Sequence, residues 1–170
     1  MNAIDYAIQD ARLPVRETGG SNRSPRIDAI NRFVGSPIGS PYCAAGVSWC
    51  FHAAGAENFP FSPLAAAIRD AFEAENKMSK SADEMLNWDG ALFGWTLEDG
   101  YGHIGFVRER LTNASGQVVA LRTVEYNTDL TGSPNGDGVY ERLREVQPSF
   151  WYLNTTSFQG GSWWDSTPAG

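Results

Sequence analysis

The sequence has little positive charge, only two cysteines and two histidines, and no long apolar run. Its 13 basic residues stand against 20 acidic ones, which gives a net charge of −7 and a pI of about 4.7. Nucleic acids and anionic membrane surfaces attract clustered positive charge, so neither is expected as a partner. No apolar segment reaches the roughly 18–20 residues that a membrane-spanning helix needs. We therefore expect no nucleic-acid binding and no membrane insertion.

The first 14 residues, MNAIDYAIQDARLP, have neither the basic start nor the apolar stretch of a secretory signal peptide. This start predicts a protein synthesised in the cytoplasm. The 170 residues are 42% hydrophobic and 12% aromatic, which is enough for a sizeable core in one domain. Eighteen glycines and nine prolines indicate many turns and short strands.

The two cysteines lie on one predicted helix, near residues 43–54, and cannot form a disulfide with each other. Seven residues along a helix separate Cys43 from Cys50 by roughly 10 Å, beyond the reach of a disulfide. Cys43 begins the helix, where unpaired amides and the helix dipole favour a thiolate. Cys50 lies two turns later on the apolar stripe and is expected to be a buried structural thiol. A chain of this kind is expected to be reduced and cytosolic.

Of the two histidines, only His103 can serve as a base for Cys43. His52 lies nine residues after Cys43, about 180° around the helix and roughly 13 Å along its axis. His103 stands in a glycine-rich segment, 100–105, that enters a predicted strand. The flanking glycines leave room for a backbone or a substrate to approach closely.

A third element, the β-rich run at 117–129, carries two polar residues two positions apart, Glu125 and Asn127. Alternation along a strand predicts that both project from the same face. A carboxylate or amide beside a Cys–His pair can fix the tautomer and orientation of the imidazole. The alternative is an ordinary strand end that enters a turn. The order cysteine, histidine, polar orienter is one that a thiol hydrolase can use.

Three segments resemble a known family. The sequence PYCAAGVSWC at 41–50 resembles the nucleophile helix of CHAP domains (cysteine, histidine-dependent amidohydrolase/peptidase), within the NlpC/P60-like, papain-like group. GHIGFV at 102–107 is similar to the family's histidine strand, and VEYNT at 124–128 to its Glu-x-Asn strand. The resemblance covers about residues 5–153. It implies an α+β, papain-like fold with N-terminal helices and the nucleophile helix packed on an antiparallel sheet.

The resemblance also implies a function, a peptidoglycan hydrolase (amidase or endopeptidase) that cuts an amide or peptide bond. Cys43 would be the nucleophile and His103 the general base. Glu125 would orient His103, and Asn127 would be a second polar partner or a substrate contact. No cofactor or metal is expected, because the histidines and cysteines show no metal-ligand spacing. A chain of this kind fits a phage-type lysin or an exported effector that acts at the bacterial cell wall after release or export.

Three residues depart from the family pattern. Gly46 stands where a large apolar residue is usual, which predicts looser packing of the nucleophile helix. Tyr42 replaces the more common tryptophan before the nucleophile. Tyr126 stands between Glu125 and Asn127, where a small residue is usual.

The coarse organisation is helices first and strands afterwards, which predicts an α+β domain with an antiparallel sheet. Helices are predicted near 3–12, 25–34, 43–54 and 63–76, and strands near 90–96, 103–110, 117–126, 138–144 and 149–153. The domain is predicted over residues 1–153. The remainder, 154–170, is predicted to be a flexible or docked tail that carries Trp163 and Trp164. The arginine pairs Arg108/Arg110 and Arg142/Arg144 are predicted to face solvent.

Two other functions remain open from the sequence. One is a non-catalytic cell-wall or virion binding module with Trp163 and Trp164 as a sugar platform. The other is a cysteine amidase or deamidase that acts on a protein or a small amide, with the acidic region 57–99 facing a basic partner. Net charge over 57–99 is the most negative of the chain, although a solvated surface is the simpler explanation for it.

Overall fold

The computed structural model describes residues 1–97 and 102–158. Four α-helices come first in the chain: α1 (Ala3–Arg12), α2 (Pro25–Phe33), α3 (Cys43–Ala53) and α4 (Ala65–Ala74). Six strands follow: β1 (Met78–Ser79), β2 (Ala91–Thr96), β3 (Gly102–Thr112), β4 (Val118–Thr128), β5 (Gly138–Glu145) and β6 (Trp151–Asn154). Short 3₁₀ helices cover Ala82–Asn87 and Thr156–Phe158. The α+β class predicted from the sequence is confirmed.

The strands form one antiparallel sheet in the order β1-β6-β2-β3-β4-β5. Successive hairpins build the four-stranded part of the sheet that carries the candidate residues, β2 to β5. The last strand, β6, lies between β1 and β2. The register places Trp95 opposite His103 and Phe106 opposite Val124. The candidate residues of β3 and β4 therefore lie on neighbouring strands.

Helix α3 is buried on most of its sides, because its sequence is apolar almost throughout. Its residues join Ile104, Phe106 and Val124 of the sheet in one large core cluster. A second cluster, on the opposite face of the sheet, includes Phe93 and Leu121. The sheet therefore separates two cores, and α3 packs on one face of it.

Gly46 does not loosen the packing of α3, and that prediction was wrong. The ring of Tyr126 lies so close to Gly46 that a Cβ atom at position 46 would overlap it. The Tyr126 hydroxyl donates to an Asp10 oxygen at 2.7 Å, and Arg26 donates to that oxygen at 2.9 Å. Residues from α1, α2, α3 and β4 thus meet around one tyrosine. Gly46 and Tyr126, two of the three residues that depart from the pattern described above, thus form a single contact between helix and sheet.

Cys50 is a buried structural thiol, as predicted. Its side chain is fully buried, and its sulfur lies 3.1 Å from the Tyr126 hydroxyl. Burial raises the pKa of Cys50 to about 12, so the thiol stays protonated at neutral pH. Cys43 and Cys50 are both free, which confirms that they form no disulfide.

No helix within residues 1–97 and 102–158 is long and apolar enough to span a membrane. Asn154 ends β6, and the ring of Phe158 packs against Phe51, Phe59 and Phe72. The first part of the predicted tail therefore packs against the domain. Trp163 and Trp164, for which docking or sugar binding is predicted, lie outside the described residues.

Candidate active site

Cys43 is the first residue of α3 and borders an open cleft. The residue is 7% exposed. The cleft has a volume of about 190 Å³, and its lining is mainly apolar. Gly102, at the start of β3, lines the same cleft. The described lining residues are Ser36, Ser40, Pro41, Cys43, Pro63, Leu64, Ala65 and Gly102. A substrate bound there would lie next to both the thiol and the start of the histidine strand.

The start of α3 leaves backbone donors available near the thiol. The first amides of any helix have no acceptor within it. Among the described residues, no side chain caps this helix, since the residue at its N-cap, Tyr42, makes no capping bond. The Tyr42 hydroxyl instead donates to Glu17 at 3.3 Å. Because Cys43 lines the cleft, its backbone amide is a candidate donor to a carbonyl oxygen bound there.

His103 is the second residue of β3 and is fully buried. Its Nε2 atom lies 2.7 Å from Oε2 of Glu125. A carboxylate at this distance holds the proton on Nε2, so Nδ1 is the nitrogen left for Cys43. Nδ1 is buried and makes no well-aligned hydrogen bond within the described part of the chain. The ring of Trp95 packs against the imidazole, with 4.9 Å between the ring centroids.

The Cys43 thiol interacts with His103 and changes its protonation. Burial lowers the pKa of His103, but the interactions of the ring with Cys43 and Glu125 outweigh this effect and raise it to about 9. The imidazole is therefore protonated at neutral pH. A protonated imidazole beside a thiol favours the thiolate, which is the nucleophilic form. The lack of an aligned bond at Nδ1 is in keeping with a resting site, where catalytic hydrogen bonds are often long.

Glu125 is fully buried and has donors at both oxygens. Oε1 accepts from Thr123 at 2.5 Å and from Nε of Arg144 at 2.6 Å. Oε2 receives a second Arg144 bond at 2.6 Å, besides its contact with His103. Burial raises the pKa of Glu125, but the bonds from Arg144 and His103 reverse this effect and lower it to about 2. Glu125 is therefore a carboxylate at any pH near neutral.

Arg144 was predicted to face solvent, and that prediction was wrong. Its side chain is 14% exposed and spans the sheet face from β5 to Glu125. It also donates to the Gly132 carbonyl at 3.2 Å. Strands β4 and β5 follow each other in the chain and pair antiparallel, so residues of β5 at alternate positions share the face of Glu125. That pairing was the signal that could have identified Arg144.

Asn127 does not join the other three candidate residues. It has a φ of +57° and is the extra residue of a β-bulge between Tyr126 and Thr128. Its amide donates to the Pro134 carbonyl at 3.2 Å, and its Oδ1 is buried with no partner among the described residues. The bulge breaks the alternation that placed Asn127 beside Glu125. The structure brings Cys43, His103 and Glu125 together, while a substrate-contact role for Asn127 stays a prediction.

His52 lies away from this site, as predicted. It is exposed and stacks on Phe33, with 4.5 Å between the ring centroids. Within the residues that the structure describes, no group of three or more His, Cys, Asp or Glu side chains is placed to hold a metal ion. Comparison with family models, with curated proteins and with solved structures finds no match for this chain.

Proposed function

We propose that this protein is a cysteine-dependent hydrolase that cuts an amide or peptide bond of bacterial peptidoglycan. One observation carries the proposal. Cys43 lies close enough to His103 to affect the pKa of the imidazole, and Nε2 of His103 lies 2.7 Å from the buried carboxylate of Glu125. Cys43 also lines an open cleft together with Gly102, the residue before His103. A nucleophile, a base and a group that orients the base form the arrangement typical of acyl-transfer enzymes.

The proposed reaction has two stages. The Cys43 thiolate attacks the carbonyl carbon, and the oxyanion is stabilised by backbone amides at the start of α3. His103 gives its proton to the leaving amine as the C–N bond breaks, which leaves a thioester on Cys43. Water then attacks the thioester, and His103 accepts its proton. The carboxylic acid leaves and the Cys43–His103 pair is restored. Glu125 keeps the imidazole oriented and stabilises its charged form.

We also propose that the fold is the papain-like, NlpC/P60-like one of CHAP domains. Three features support this proposal: the helices precede the strands, α3 packs on an antiparallel sheet, and its first residue is the candidate nucleophile. The sequence resemblance at 41–50, 102–107 and 124–128 falls on the three segments that form the candidate site. The contact between Gly46 and Tyr126 accounts for two of the three departures from the pattern.

Peptidoglycan as the substrate rests on the resemblance, and the cleft is compatible with it. The described lining residues of the cleft carry no charged side chain. Such a lining fits a small uncharged acyl group, such as the lactyl or alanyl groups that flank peptidoglycan amide bonds. The proposed site of action is the bacterial cell wall, reached after release or export.

The test is digestion of purified sacculi, with mass spectrometry of the released muropeptides to identify the bond that is cut. Cys43→Ser should lose several orders of magnitude in rate, because a hydroxyl is far less ionised than a thiol at neutral pH. Cys50→Ala is the matched control, since it removes the other thiol and should keep the activity. Intact sacculi after treatment with the wild type, or full activity of Cys43→Ser, would refute the proposal. Release of ammonia from proteins without cleavage of muropeptides would favour the deamidase alternative.

A further inference from the structure

We propose that Arg144 is a positioning residue that holds Glu125 ionised and correctly oriented throughout the catalytic cycle. The inference rests on the proposed function, because it takes Cys43 and His103 as the reacting pair. Arg144 would touch neither substrate nor thiol. It would act only through Glu125 and, through Glu125, on His103.

The geometry supports orientation by Arg144. Its guanidinium donates one bond to each oxygen of the Glu125 carboxylate, both at 2.6 Å. Two parallel bonds from a planar fork fix the plane of a carboxylate, which a single donor cannot do. The fixed plane directs Oε2 at Nε2 of His103, 2.7 Å away. The orientation of the imidazole therefore depends on the guanidinium.

Arg144 is itself held in place from several sides. Besides Glu125, it donates to the Gly132 carbonyl at 3.2 Å. Its guanidinium carbon lies 5.1 Å from the centre of the Trp95 ring, the same ring that packs on His103. With 14% exposure, this ion pair differs from the exposed pair of Arg122 and Glu109, whose side chains are each 54% exposed. A pair so well enclosed is weakly screened by salt.

The charges explain why a permanent cation is needed. Glu125 faces one titrating group, His103 from β3, and one permanent cation, Arg144 from β5, while Thr123 adds a neutral donor. When His103 gives its proton to a leaving group, its positive charge disappears. A fully buried carboxylate without a cation would then take up a proton. Arg144 keeps Glu125 charged at that point, so that Glu125 can again stabilise a protonated imidazole in the next step.

The chain offers a matched control on the same strand. Arg142 lies two residues from Arg144 on β5 and donates to the Leu130 carbonyl rather than to Glu125. Arg142→Met removes one positive charge from the same face of β5 and leaves the Glu125 bonds in place. Arg144→Met removes both bonds and the charge. Arg144→Lys keeps the charge but loses the fork.

The experiment has two readouts. The first is the rate of Cys43 alkylation by iodoacetamide as a function of pH, a measurement that needs no substrate. The second is the rate of hydrolysis of sacculi. In Arg144→Met the acid limb of the alkylation profile, where the rate falls as the thiol is protonated, should move up by about one to three pH units, since Glu125 loses its permanent opposing charge. In Arg144→Lys the limb should stay near that of the wild type, while hydrolysis falls. In Arg142→Met the acid limb of the alkylation profile and the rate of hydrolysis should both stay as in the wild type. If the alkylation profile of Arg144→Met has the same acid limb as that of the wild type, the inference is overturned.

A double-mutant comparison decides the case in which Arg144→Met does not fold. Removing both partners of a buried pair is better tolerated than removing one. Glu125→Gln/Arg144→Met should therefore fold and should match Glu125→Gln alone in its alkylation profile, because Arg144 acts only through Glu125. A further slowing in the double variant would overturn the inference. If the wild type cleaves no amide, the proposed function fails, and the alkylation profiles still decide the role of Arg144 at the thiol.

Discussion

The ring of Tyr126 fills the space over Gly46 that any side chain at position 46 would occupy. Tyr126 directly follows Glu125 on β4, and Gly46 lies three residues after Cys43 on α3. The contact therefore sets how closely the helix that carries Cys43 approaches the strand that carries Glu125. The bond from the Tyr126 hydroxyl to Asp10 prevents the ring from moving aside.

Gly46→Ala is expected to destabilise the protein, although alanine is the better helix former. The overlap with the Tyr126 ring should cost about 1–3 kcal/mol, which exceeds the gain in helix propensity of at most about 1 kcal/mol. Urea denaturation measures the change. In a Tyr126→Leu background, which frees space over position 46, the same substitution should cost less. An unchanged or higher free energy of unfolding for Gly46→Ala alone would contradict the contact.

The two cysteines should differ in reactivity. Cys43 borders the cleft beside a protonated imidazole, whereas Cys50 is fully buried and burial raises its pKa to about 12. A brief treatment with iodoacetamide at neutral pH should label Cys43 first, and Cys50 only after unfolding. Peptide mapping reads both sites in one sample. Equal labelling, or faster labelling of Cys50, would mean that the nucleophile has been assigned wrongly. His103→Ala should slow the labelling of Cys43 and leave Cys50 as it is.

Cys43→Ala should lower the pKa of His103. Burial acts against the charged ring, and the thiol is one of the two groups that outweigh burial in the wild type. NMR titration of the imidazole signals is well suited to this test, because the chain has only two histidines. The His103 signal should titrate near 9 in the wild type and at lower pH in the variant. The same midpoint in both proteins would show that the thiol does not act on the ring.

Stability should depend on pH through the buried pair. The pKa of His103 rises from 6.5 to about 9 on folding, so its contribution is complete below pH 6.5 and is lost as the pH rises through 9. The pKa of Glu125 falls from 4.5 to about 2, so its contribution is complete above pH 4.5 and is lost as the pH falls through 2. Both contributions are complete only between pH 4.5 and 6.5.

Chemical denaturation at a series of pH values checks this expectation. The free energy of unfolding should decline from pH 6.5 to 9, and His103→Gln should remove most of that slope. Glu125→Gln should reduce the acid slope below pH 4.5, with a remainder from Asp28 and Asp129, whose pKa values are also lowered. The side-chain bonds from Arg23 to Asp28 and from Thr131 to Asp129 cause those shifts. If the free energy of unfolding still declines above pH 6.5 in His103→Gln, groups other than His103 cause the decline.

The sequence was sufficient for the helices and the main strands, because their signals are local. The predicted helix near 63–76 is shorter in the structure, where it runs from Ala65 to Ala74. Strand β1 was not predicted, because a two-residue strand has no periodicity of its own. It exists only through pairing with β6, far along the chain.

The order of Cys43, His103 and Glu125 in the sequence, with their predicted elements, was enough to group them in one site. The position of Asn127 was not predictable by alternation, because a bulge and a left-handed backbone rotate it away. Arg144 was missed because a charged residue on a predicted strand usually faces solvent. Its actual environment depends on which strand lies beside it and on the reach of a long side chain.

The insertion of β6 between β1 and β2 governs the order in which the molecule can assemble. Strands β2 to β5 can pair as successive hairpins as soon as each is synthesised, and such local pairing is fast. Strand β2 still exposes one edge until Trp151–Asn154 arrives to close it. The four strands β2 to β5, which carry His103 and Glu125, can thus be hydrogen-bonded to one another while the free edge of β2 is open and prone to pairing with other chains. Aggregation during refolding should therefore be governed by the few residues of the last strand, although none of them belongs to the candidate site.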